Sequence, residues 1–120
     1  MGGRVNLNGA RISDCTFGPG NRFSVSNQTL TGTTQLQSGG PQMLFLDPGG
    51  AARTVKLWAS PKIGEFLWII NTADAAEVIT VQDSAGVALS PACTPTQNEM
   101  VLLVYTGATL GWRQFVGLGA

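Results

Sequence analysis

From Met43 to Val116 short apolar segments alternate with Gly- and Pro-bearing breaks, roughly one segment every ten residues, a spacing that belongs to all-β sandwiches and barrels. Met43 to Leu46 is an apolar run closed by Asp47-Pro48-Gly49-Gly50, whose Pro and Gly set turn dihedrals. Arg53 to Trp58 alternates, with Val55 and Leu57 on one face and Thr54, Lys56 and Trp58 on the other. After a break at Pro61 to Gly64, Phe66-Leu67-Trp68-Ile69-Ile70 is apolar on both faces, which places this strand, Trp68 included, at the centre of the core. Val78 to Asp83 follows, then a turn at Asp83 to Gly86 into Val87-Ala88-Leu89. Pro91 and Pro95 bracket a loop, Glu99 to Thr106 reads as a buried strand, and Leu110 to Val116 closes the domain. No stretch of useful length has a 3.6-residue period; Ala73 to Glu77 is long enough for one helical turn. The expected architecture is an antiparallel β-sandwich of the jelly-roll type over residues 41–120.

Residues 1–40 differ in character. They are rich in Gly, Asn, Ser, Thr and Gln, with isolated apolar residues, and Gln28 to Gln37 carries no charge and only Leu30 and Leu36 as apolar groups. Such a stretch cannot bury enough surface to offset its own ordering entropy. Arg22 to Ser26 alternates and suits one exposed strand. The segment is expected to be an extended N-terminal arm that orders against something larger.

Charge narrows the functional classes. The 120 residues include seven basic and seven acidic groups and no His; charged residues make up 12% against roughly 25% in ordinary soluble domains. Without His, the Ser-His-Asp and Cys-His triads and the His-bearing zinc and iron sites are excluded. Cys15 and Cys93 are too few for an all-cysteine zinc site and too far apart for a CxxC motif, which leaves a single long-loop disulfide or, the expected case, two isolated thiols in a reducing compartment. No cofactor and no metal is expected. The zero net charge hides a division: residues 1–60 hold five basic and two acidic groups, residues 61–120 two basic and five acidic. Nothing at the N-terminus reads as a secretory signal and no apolar run approaches the roughly 18 residues of a membrane span, so the chain reads as soluble, made in the cytoplasm and without a membrane partner.

Candidate sites are few. Arg4, Arg11 and Arg22, interleaved with Phe17 and Phe23, are too sparse for a phosphate footprint, and no nucleic-acid partner is expected. Gly18-Pro19-Gly20 and Gly49-Gly50 lack the Gly-Lys-Ser/Thr of a phosphate loop and read as turns. Asp74 and Glu77 fall between strands, Asp83 opens a turn and Glu99 opens a strand, which are structural positions rather than a catalytic pair. No loop has the alternating Asp and Asn of a calcium site. Trp58 and Trp112 are candidates for an exposed interface, Trp112 also for the core or a sugar-stacking surface.

Over residues 40–116 the chain resembles small structural proteins of tailed-phage heads and tails, through Leu46-Asp47-Pro48-Gly49-Gly50-Ala51-Ala52-Arg53-Thr54-Val55-Lys56-Leu57, Ile70-Asn71-Thr72-Ala73, Ile79-Thr80-Val81-Gln82-Asp83 and Gly111-Trp112-Arg113. It is similar to the tailed-bacteriophage capsid decoration (cement) proteins of the β-sandwich head-decoration type. That resemblance implies a virion structural protein and not an enzyme: a homotrimer on the outer capsid surface, bound to the major capsid protein and stabilising the head. On this reading the arm is the capsid-binding element, with Val5, Leu7, Ile12, Phe17 and Phe23 as apolar anchors and Arg4, Arg11 and Arg22 meeting acidic patches. The same strand rhythm occurs in phage tail fibres and spikes, so a receptor- or glycan-binding module of a tail fibre or head fibre is the alternative.

Overall fold

The computed structural model describes Gly20 and residues 22–118, with side chains up to Phe115. Nine strands and no helix make up the described residues: β1 (Val25–Thr29), β2 (Thr34–Gln35), β3 (Met43–Asp47), β4 (Arg53–Lys56), β5 (Phe66–Asn71), β6 (Ile79–Gln82), β7 (Ala88–Cys93), β8 (Glu99–Tyr105) and β9 (Trp112–Leu118). No helix among them is long and apolar enough to cross a membrane. Residues 74–76 form bends, and Ala73 to Glu77 make no helical turn. The all-β class follows directly from the alternation: Val55 and Leu57 do share the core face, and β5 does lie in the middle of its sheet.

The sheets are mixed, not antiparallel. One has the order β1-β3-β5-β8-β9, the other β2-β4-β6-β7. The chain alternates between them through its first six strands, so that β1, β3 and β5 pair in parallel, as do β2, β4 and β6. Only the last three strands turn back: β7 on β6, β8 on β5 and β9 on β8 are antiparallel. The first half is therefore a flattened coil of three turns, and the second half an antiparallel cap on it. The expectation of antiparallel jelly-roll sheets fails for a definite reason. Period-two alternation fixes which face a residue occupies but not the direction of the neighbouring strand. A chain that crosses to the opposite sheet after each strand comes back parallel without needing a helix.

The core lies between the sheets. Leu44 and Leu46 of β3, Leu67 and Ile69 of β5, and Val101 and Leu103 of β8 face Val55 of β4, Ile79 and Val81 of β6 and Cys93 of β7. Within the stretch expected to form an arm, β1 and β2 join the sheets, and the body begins at Val25 or earlier. Its two apolar residues account for this: Leu30 is buried in the core and Leu36 packs against it. Their amides donate to Asp47 O (2.7 Å) and Lys56 O (2.9 Å), stitching the first turn to the second. The close stacking of turns also sets Gly49. Its φ is +77°, and a Cβ there would stand 2.6 Å from the Leu30 carbonyl oxygen. Only glycine serves both the left-handed backbone and the approach of the neighbouring turn.

Candidate functional site

Of the capsid-binding arm expected from the sequence, Arg4, Val5, Leu7, Arg11, Ile12 and Phe17 lie outside the described residues, as does Cys15. Arg22 is exposed, and the half-exposed Phe23 sets its ring edge-on to Phe66 (centroids 5.6 Å apart), which ties the start of the described chain to β5.

Trp112 is not an exposed interface residue. It is 7% exposed and belongs to the core, because its position on β9 points inward beside Tyr105 of β8. Trp58, half-buried, stands edge-on to it at 5.0 Å, and Tyr105 meets Trp112 at 5.5 Å, giving a three-ring cluster in the edge-to-face geometry aromatic quadrupoles favour. The Trp58 indole N–H donates to Glu65 Oε1 (2.9 Å), which also accepts the Lys62 amide (3.0 Å). The Lys62 amide and then the Trp58 indole, with a lesser contribution from the Lys62 charge, hold the Glu65 carboxyl below its ordinary pKa against the opposing effect of desolvation. Trp58 lines open clefts of about 500 and 350 Å³.

Of the four carboxylates considered as catalytic candidates, Asp83 and Glu99 are occupied by backbone, while Glu77 Oε1 is buried without a hydrogen-bond partner. Asp83 Oδ1 accepts the amides of Ala85 and Val87 (both 2.9 Å), and Glu99 Oε1 accepts the Thr96 amide (2.7 Å), so each closes its own turn. Asp74 and Glu77 do come together, with Asp47 as a third member, carboxylate oxygens all within 4.8 Å of one another. Asp47 reaches this corner from the end of β3, a proximity that sequence distance conceals. Cys93 is a buried, free thiol, and desolvation pushes its pKa up to about 12, so it stays protonated and unreactive at neutral pH.

Two features had no counterpart in the sequence reading. Asn71 is the one fully buried polar residue among those described. Its Nδ2 donates to Glu77 O (2.8 Å) and Pro95 O (3.0 Å) while Oδ1 accepts the Ala73 amide (2.9 Å), so one side chain fastens two loops to the end of β5. An Asn directly after an apolar run was the available signal.

The second is the outer face of the five-stranded sheet. Cross-strand pairing builds rows there. Val25, Met43, Trp68, Leu102 and Phe115 form one row across all five strands. Phe45, Ile70 and Met100 continue from Asn27 in the next, and Phe66 and Val104 lead to Arg113 in the one before. The members on β3, β5 and β8 are half-buried by their lateral neighbours, while Val25 and Phe115 are 45% and 70% exposed. Trp68 is thus on the outside of the sheet, not in the core: the doubly apolar β5 serves two surfaces. The outer face of the other sheet carries Thr54, Lys56, Thr80 and Gln82, the polar pattern of a solvated surface.

No protein-family model matches the chain, and comparison with curated proteins gives no match.

Proposed function

We propose that the chain is a structural component of a tailed-phage virion, a capsid decoration protein that assembles as a homotrimer on the outer surface of the shell and binds the major capsid protein. The observation that carries this reading is the apolar, aromatic outer face of the five-stranded sheet, charged only at its edges by Asp47 and Arg113, which is suited to surface contact rather than to chemistry. The occupation of Asp83, Glu99 and Glu65 by turn amides and an indole is consistent with it, since catalysis would need carboxylates free to exchange protons. In this scheme residues 1–22 reach the major capsid protein, with Arg4, Arg11 and Arg22 against acidic patches and Val5, Leu7, Ile12 and Phe17 as anchors. Ordering an arm costs on the order of 1–2 kcal/mol per residue, an outlay that three arms held on one trimer share through their raised effective concentration.

Truncation tests the scheme. A chain starting at Phe23 keeps all nine strands of the described residues and the Phe23–Phe66 contact. It should fold and self-associate like the full chain but fail to co-sediment with shells of the cognate major capsid protein. Equal co-sedimentation of both forms would overturn the role of the arm.

Trp58, which lines two open clefts, favours one alternative, a glycan-binding fibre module. That alternative requires sugar-dependent quenching of tryptophan emission, lost in Trp58→Phe; a decoration protein shows no glycan response.

A further inference from the structure

We infer that the outer face of the five-stranded sheet is the surface through which copies of this chain pack on one another. The assignment rests on the self-association in the reading above, not on the identity of the capsid partner. Three observations support it.

The first is the contrast between the two sheets. A sheet with one face in the core ordinarily turns polar side chains outward, and β4 and β6 do so with Thr54, Lys56, Thr80 and Gln82. On the five-stranded sheet the equivalent positions are Met43, Phe45, Trp68, Ile70, Met100 and Leu102. Aromatic residues and methionines enriched together, with charge depleted, are the composition of an interface core.

The second is size. Five strands about 4.8 Å apart and three rows about 6.7 Å apart, only the middle of which is apolar from edge to edge, give a footprint, polar edge positions included, of roughly 24 by 20 Å. That is on the order of 480 Å² in projection, before the relief of the side chains is counted. A standard interface takes about 800 Å² from each partner, with an apolar centre and a polar rim. The rows supply the centre; Asn27, Thr29, Asp47 and Arg113 border it as a rim.

The third is charge. Apart from Arg113 at the edge the rows carry none, so an acidic or basic partner would bury most of its own charges unpaired. A second copy of the same face is equally uncharged, and on a chain of zero net charge nothing long-range opposes the approach.

Analytical ultracentrifugation of the full chain tests this, with Phe115→Glu and Leu102→Glu on the face and Val87→Glu, exposed on the turn before β7, as the control. Phe115 is largely exposed, so its substitution should leave the circular dichroism spectrum unchanged. Wild type and Val87→Glu should assemble at about 10 μM, and the face variants should weaken assembly by about 100-fold or more. Assembly that persists unweakened in folded Phe115→Glu and Leu102→Glu would overturn the assignment of this face while leaving self-association intact. A wild-type chain that stays monomeric to about 100 μM would overturn both, and would mean that some other surface, from this chain or another protein, covers the rows.

Discussion

Asn71 shows how one side chain can hold an otherwise irregular region. It is fully buried, its three hydrogen bonds go to backbone groups at Ala73, Glu77 and Pro95, and its own carbonyl accepts the Asn98 amide. Replacing it with Ala removes the side-chain bonds and leaves buried partners unsatisfied, at roughly 1–3 kcal/mol for such groups. Asn71→Ala should therefore lower the denaturant midpoint by an amount equivalent to about 3 kcal/mol, with an unchanged m-value; a loss below about 0.5 kcal/mol would refute the clamp. The tryptophans are instructive in the opposite sense. Flanking residues put Trp68 in the core and left Trp112 open, yet the structure has Trp68 outside its sheet and Trp112 inside. Side-chain alternation defines two faces, and only the partner sheet decides which of them is interior.

Among the elements, β3 to β6, β8 and β9 were legible because each is an apolar or alternating stretch between Gly or Pro breaks, whereas β7 runs through Pro91, where a loop was expected. Strand direction was not, since parallel and antiparallel pairing draw on the same pattern. The first turn of the coil was hidden for another reason: β1 and β2 are largely polar and exposed, and they are held in the sheets by Leu30, Leu36 and main-chain bonds. This gives Leu30 a weight its surroundings do not advertise. Leu30→Ala should cost about 3 kcal/mol, within the range for buried leucines. Because β1 and β2 are edge strands, amide exchange should rise first in residues 25–36, with β5 and β8 staying protected. Uniform loss of protection across both sheets would show instead that the coil and its antiparallel cap unfold as one unit.

For the whole molecule, the scarcity of charge and the absence of His have a common consequence. They remove the His-based routes to catalysis and go with a body whose two outer sheet faces differ: one polar, one apolar. The candidate surface was only partly legible. The doubly apolar β5 was visible in the sequence, but its alignment with Met43, Leu102 and Phe115 depends on long-range pairing that no local pattern encodes. A shell-bound trimer would bury the apolar face against its own copies and leave residues 1–22 to engage the major capsid protein. Cryo-electron microscopy of shells incubated with the chain examines that arrangement directly. The account predicts density on the outer surface in clusters of three, with the five-stranded sheets turned toward one another. Shells without added density, or single copies whose apolar sheets face solvent, would contradict it.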